Sequence, residues 1–151
     1  MKPELRLFLD TSALFSGIWS EKGGARMLLK LGESRVVELL VSSQVLDEIE
    51  NAIFQKAPHL MATFVLLLDR SHITVVPSAP TELLERCQGL VSHRGDACIL
   101  ADAWANQVDY LVTLDKTHFL NAEGLSDQTP FIIGTPGDCL SWIRNFFQEK
   151  S

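Results

Sequence analysis

The sequence predicts an α/β fold: a three-layer α/β/α sandwich around a parallel sheet of about four or five strands. Short, continuous apolar runs recur at Leu5–Leu9, Val36–Val41, Ile73–Val76 and Tyr110–Leu114, as expected of strands covered on both faces. Stretches of helical periodicity separate them, and strands alternating with helices imply parallel pairing through right-handed crossovers. With 151 residues, 46% of them hydrophobic, the chain can bury one good core but hardly two, so it reads as a single domain over 1–151.

The elements follow in order. The first run, "LRLFL", ends at Asp10 and passes into "DTSALFSGIW", where Asp10, Thr11 and Ser12 are all good helix caps. "GGARMLLKLGES" places Met27, Leu28 and Leu31 on one side and stops at Gly32. After the second strand, "SQVLDEIENAIF" gathers Val45, Ile49, Ala52 and Ile53 on one face behind a Ser43 cap. "PHLMATFVLLLDR" starts at Pro58 and is apolar nearly all round, so Leu60–Leu68 is either core, the commoner case, or a surface covered by a partner. The helices "PTELLERCQGL", "DACILADAWANQ" and "PGDCLSWIRNFF" complete the set, with Phe131–Ile133 as a weaker fifth strand.

Composition excludes several classes. No apolar run is long enough to cross a bilayer, and the start "MKPELRLFLD" is broken by Glu4 and Asp10, unlike a signal peptide, so a cytoplasmic location without membrane contact is expected. Cys87, Cys98 and Cys139 are odd in number and widely spaced, which argues against a disulfide framework or a zinc knuckle; they read as small buried apolar residues. A net charge of −6 does not grip nucleic acid by its overall field, so a polyanionic substrate requires local basic residues or cations.

Ligands of parallel sheets bind beyond the carboxyl ends of the strands, near the switch in strand order. Asp10 directly follows the first strand and Asp115 the fourth, with Thr113 placed to orient Asp115. At about 100° per residue, Asp47 points away from the core while Glu48 lies at the border of its helix's inward face; Glu50 is also near a border but further along. The same arithmetic aligns Asp96 with Ile99, Leu100 and Ala103, whereas Asp102, about 240° further round, is expected to face solvent. Singly, these acids read as helix caps, a favourable helix charge or a turn former. Clustered at one edge they repel one another unless a cation neutralises them, and oxygen ligands with no His or Cys partner suit Mg²⁺ or Mn²⁺. The chemistry implied is metal-assisted phosphodiester hydrolysis.

These residues resemble the PIN domain family over nearly the whole chain, through "FLDTSALFSGIW", "VSSQVLDEI", "GDACILADAWANQVDYLVTLDKTHFL" and "IIGTPGDCLSWI". The resemblance implies that the family's four acids fall on Asp10, Glu48, Asp96 and Asp115, as catalytic residues and metal ligands, with Ser12 and Thr113 as supporting hydroxyls. It implies a PIN-like, Rossmann-like sheet, a Mg²⁺- or Mn²⁺-dependent endoribonuclease and, most often in bacteria, a VapC-like toxin whose antitoxin occludes the site. RNA is then the expected substrate, with a cognate antitoxin and a second copy of the chain as protein partners. The longer "SGIWSEKGG" segment and the bulky "HLMATFVLLL" helix set the chain apart from many small toxins.

Rival readings fit less well. A haloacid-dehalogenase-type phosphatase needs a second Asp where Ser12 stands, and a receiver-type phospho-acceptor needs an acid where the third strand ends in Pro77. No nucleophile elbow, Walker loop or dinucleotide glycine motif occurs. A catalytically silent binding module on the same fold, or a housekeeping RNA-processing nuclease, is the remaining alternative. Lys22, Arg26, His93, Arg94, Lys116 and His118 lie in segments bordering the edge, and Arg94 and Lys116, closest to the site acids, are the candidate substrate contacts. His118 reads as a surface histidine, and Trp19, Trp104 and Trp142 more readily as packing residues than as base-stacking ones.

Overall fold

The computed structural model describes residues 2–151. Five parallel strands, β1 (Leu5–Leu9), β2 (Val37–Ser42), β3 (Thr74–Val76), β4 (Tyr110–Val112) and β5 (Ile132–Gly134), form one sheet in the order β3-β2-β1-β4-β5. It is flanked by α1 (Thr11–Trp19), α2 (Gly24–Glu33), α3 (Ser43–Lys56), α4 (Met61–Arg70), α5 (Thr81–Gln88), α6 (Arg94–Ala105) and α7 (Pro136–Lys150). The chain winds outward one way through β1, β2 and β3, then crosses back to β4 and β5 on the other side of β1. The topological switch point therefore lies between the carboxyl ends of β1 and β4.

Core packing follows the apolar runs. Leu7, Phe8, Leu39, Leu40, Val41, Leu111 and Val112 of the three central strands are fully buried. The edge strands depart from the expectation of two covered faces: Thr74 and Val75 in β3 and Ile132 in β5 are exposed, because an edge strand has a neighbour on one side only.

Four readings, on three helices, need correction. The inward face of α2 is Ala25, Leu28, Leu29 and Gly32, not the Met27 side; Met27 is exposed. Gly32 does not stop the helix, which runs on to Glu33; a Cβ there would stand 2.5 Å from Leu39 Cδ1 and 2.7 Å from the Ser71 carbonyl, so the glycine permits close approach of α2 to β2. The cap of α3 is Ser42, whose hydroxyl accepts from the Val45 N–H, rather than Ser43. Finally, α4 is not a core helix. After a 3-10 turn over Pro58–Leu60 it buries only Phe64 and leaves Val65 and Leu66 exposed, while Phe54 at the end of α3 is 74% exposed.

Replacing Gly32 by Ala should lower stability by about 1–3 kcal/mol, because overpacking against Leu39 and the Ser71 carbonyl outweighs the helix-propensity gain of about 1 kcal/mol. Denaturant unfolding measures this, and a midpoint equal to or above wild type would contradict the close approach.

Candidate active site

The site begins with the way β1 and β4 end. Leu9 pairs with Val112, and the Asp10 N–H donates to the Val112 carbonyl at 3.1 Å, so the residues just beyond the two strands sit side by side. Asp10 caps α1, its Oδ1 accepting from the Ala13 N–H at 2.9 Å and from the Ser12 hydroxyl at 2.7 Å. Its Oδ2 accepts from the hydroxyl of Thr113. Each hydroxyl also accepts a backbone N–H: Ser12 Oγ from Leu114 across the switch point at 3.0 Å, and Thr113 Oγ1 from Asp115 within its own segment at 3.0 Å. Thr113 therefore aims its proton at Asp10 and holds the backbone, not the carboxylate, of Asp115.

Asp115 opens a short π-helical turn over Lys116–Leu120 and accepts at Oδ1 from the His118 N–H. Its Oδ2 lies 2.9 Å from His118 Nδ1, which stands 3.6 Å from Asp96 Oδ2. The His93 ring meets His118 edge to face at 4.3 Å. Asp96 sits in the first turn of α6, where the helix dipole favours a carboxylate, and makes no capping bond. Glu48, on the opposite wall, accepts from Thr11 Oγ1 at 2.5 Å and Gln44 Nε2 at 2.8 Å, and Gln44 also donates to the Gly95 carbonyl, tying α3 to the start of α6.

Asp10, Ser12, Glu48, Asp96 and Asp115 all line one cavity of about 680 Å³, together with Phe15, Trp19, Lys56, Ile99, Leu114 and Phe119. Thr113 lies buried behind Asp10. Arg94 and Lys116 are exposed and are not among the lining residues; Lys56 is the one Lys or Arg among the described residues that is. Arg26 is spent elsewhere, donating to the Gly17 and Ile18 carbonyls at the end of α1.

Two sequence expectations are reversed. His118 is part of the acidic cluster rather than an isolated surface residue; its position three residues after Asp115, one turn away, was the available signal. Asp102 faces inward, 4% exposed, because α6 is buried on more than one side, and its Oδ1 accepts from the Ala79 N–H at 2.7 Å. Lys56 was also legible, since Glu48, Ala52 and Lys56 follow each other at i, i+4 and i+8 on α3.

Electrostatics follow burial. Burial pushes the Asp10 carboxyl above its ordinary value, against the lowering effect of Thr113, Ala13 and Ser12, and the charge of Asp115 adds to the rise. Asp96 is likewise raised by burial, with His118 pulling it down and Asp115 and Glu48 pushing it up. Burial also pushes Asp115 upward, but the hydrogen bonds and charge of His118 outweigh it and hold Asp115 below the usual range. The hydrogen bond to Asp115, with the charges of Asp96 and Asp115, raises His118. Burial raises Asp102 too.

Asp96, Asp115 and His118 each offer one ligand atom within 4.8 Å of the others. Two carboxylates this close, with Asp10 lining the same cavity, are chemically suited to a divalent cation. The imidazole of His118 stands beside this pair and adds a nitrogen to the potential donors, alongside the carboxylate oxygens expected from the sequence.

Fold and site together define a doubly wound α/β protein with an acidic cavity at its switch point. Residues 6–117 match the PIN domain family, and the chain belongs to it. Among solved structures it is similar to VapBC2 from Rickettsia felis, solved bound to a DNA fragment from their promoter, at 18% identity and a TM-score of 0.64, covering 85% of this chain and 97% of that one. It is similar also to PAE2754 from Pyrobaculum aerophilum, at 19% identity and a TM-score of 0.61, covering 93% of this chain and 90% of that one. No curated protein matches the sequence.

Because the folded pKa of Asp10 lies above its ordinary value of 3.8, its contribution to stability is complete below that value and is lost as pH rises through the folded one; at neutral pH the ionised group opposes folding. In a divalent-free buffer, Asp10→Asn should therefore melt higher than wild type at pH 7, the difference closing as pH falls below about 4. A pH-independent difference, or a lower melting point at pH 7, would contradict this.

Proposed function

We propose that this chain is a divalent-metal-dependent endoribonuclease that hydrolyses RNA phosphodiester bonds as the toxin of a toxin–antitoxin pair. The observation that carries the reading is the convergence of Asp10, Glu48, Asp96 and Asp115, from four separate segments, on one cavity at the switch point. Asp10, Glu48, Asp96 and Asp115 are the residues that would hold Mg²⁺ or Mn²⁺, with His118 as hydrogen-bond partner of Asp115. Such an ion supplies a Lewis acid for a phosphate oxygen and lowers the pKa of a bound water.

The chain's own groups have separable duties. Ser12 and Thr113 fix both oxygens of Asp10, so a carboxylate that burial disfavours keeps one orientation. His118 holds Asp115 ionised and fixed. Glu48, anchored by Thr11 and Gln44 and the most exposed of the four acids, is placed to take a proton from the attacking water. Lys56 offsets part of the repulsion an incoming polyanion meets. The likeness to VapBC2 supports the toxin–antitoxin assignment, and the exposed apolar residues Phe54, Val65 and Leu66 offer surface for an antitoxin or a second copy of the chain. Among the described residues no helix is long and apolar enough to cross a membrane.

Asp10→Asn should reduce RNA cleavage by more than about 100-fold, exceeding the usual cost of losing an outer partner in a metal site. Gel analysis of RNA incubated with purified protein and Mn²⁺, with an EDTA control, measures this; undiminished cleavage by the variant overturns the assignment. In addition, Mn²⁺ at about a hundred times its dissociation constant should stabilise wild type by about 2.7 kcal/mol and the variant by less. Equal shifts on thermal melting would count against a metal centre that includes Asp10.

A further inference from the structure

The acidic cluster fills only one end of the cavity. The remainder is walled by apolar side chains, among them Phe15, Trp19, Ala52 and Ile99, which hydrolysis of a phosphodiester does not itself require. Trp19 is 56% exposed although it lines a cavity, and one face of its indole is backed by the Phe15 ring, at a centroid distance of 5.9 Å and an angle of 19°. The other face is left without an aromatic partner among the described residues. A large, flat, supported ring, half exposed in the wall of the cavity that holds the acids, is poorly explained by packing.

Position in the fold specifies what the ring meets. α1 starts at the carboxyl end of β1 and α3 at that of the adjacent parallel strand β2, so the two helices run the same way, and they pack on each other. Trp19 is nine residues beyond Asp10 along α1, and Lys56 is eight beyond Glu48 along α3. At 1.5 Å per residue these are displacements of about 13 Å and about 12 Å in a common direction. An aromatic platform and a single cation thus stand at the same level, well away from the carboxylates but inside the same cavity.

We propose that Trp19 and Lys56 form a subsite for a flanking nucleotide of single-stranded RNA, with a base stacked on the open face of Trp19 and a backbone phosphate paired with Lys56. Stacking on aromatic rings combined with basic contacts to the backbone is how proteins hold single strands, and charge complementarity selects a polyanion over an uncharged apolar peptide at Lys56. The subsite rests on the nuclease reading and adds to it a direction, since the bound strand runs from the carboxylates along the cleft between α1 and α3. Trp19 and Lys56 touch the substrate away from the scissile bond, so they govern affinity and substrate length rather than the chemical step.

The test uses the full chain carrying Asp10→Asn, so that RNA is bound without being cut, with Mn²⁺ present and fluorescein-labelled oligoribonucleotides as probes. Adding Trp19→Ala should weaken binding of a ten-nucleotide single strand about tenfold, within the range that loss of one base stack gives, while Trp19→Phe retains most of the affinity. Lys56→Ala should weaken binding and lower the slope of log K against log salt by about 0.7, the share of one phosphate contact. A dinucleotide, too short to reach the subsite, should bind all variants alike. In the otherwise wild-type enzyme, Trp19→Ala should raise KM for the ten-nucleotide RNA with little change in kcat.

Equal affinity of the Trp19→Ala variant for the longer RNA, or an equal loss for the dinucleotide, overturns the subsite while wild-type cleavage leaves the nuclease reading standing. If Trp19→Ala leaves RNA binding intact but abolishes binding of a synthetic amphipathic helical peptide, the cleft belongs to a protein partner and the proposal fails. A wild-type protein that neither binds nor cleaves RNA removes both readings. Circular dichroism and melting of each variant guard against misfolding, which an exposed position such as Trp19 should tolerate.

Discussion

Everything at the candidate site depends on how two strands far apart in sequence are fastened where they end. Ser12 and Thr113 each donate a hydrogen bond to Asp10 and accept a backbone N–H from the segment leaving β4. A hydroxyl suits this duty because it carries one proton and two lone pairs, so it can serve a carboxylate and an amide at once. Alanine in either place would leave both an amide and a carboxylate oxygen without that partner. The lattice also explains why a carboxylate that is 3% exposed is tolerated: its oxygens are satisfied even though its charge is disfavoured.

The contrast between Asp10 and Asp102 separates a site from a structural residue. Both are buried and both have raised pKa values. Asp102 accepts from Ala79 and thereby fastens the segment after β3 to α6, with the acidic cluster absent from its surroundings. Asp10 instead opens onto the shared cavity and feels the charge of Asp115. Burial alone did not distinguish them; convergence with other acids did.

The legible part of this protein is the part that periodicity governs. Continuous apolar runs located all five strands, and their alternation with helices gave parallel pairing, because a strand buried on both faces has few ways to be anything else. Asp10, directly after β1, and Asp115, three residues beyond β4, stand at the edge by topology alone. Helix faces were less secure. On α2 the apolar residues Met27 and Leu31 compete with Ala25, Leu29 and Gly32, and the choice is made by how closely β2 approaches Gly32, a distance no periodicity contains. Asp102 departs from its expected exposure for the same reason: α6 is enclosed on more sides than its composition suggests. His118 and Lys56 had usable spacings to known acids, but a spacing gains meaning only once the acids are known to form a wall.

That wall also resolves an apparent conflict between charge and proposed substrate. A chain of net charge −6 repels RNA at long range, yet within a cavity the decisive field comes from the nearest groups, since solvent ions screen distant exposed charges beyond about 8–10 Å. Under the proposed reading, a cation held by the carboxylates inverts the local sign at one end of the cleft and Lys56 does so at the other. Between them lie apolar walls that lower the local dielectric and so strengthen both attractions. The acidity of the surface then limits association with RNA to strands able to reach the cavity, and discrimination arises from geometry, because a phosphate that cannot approach the cleft meets only repulsion.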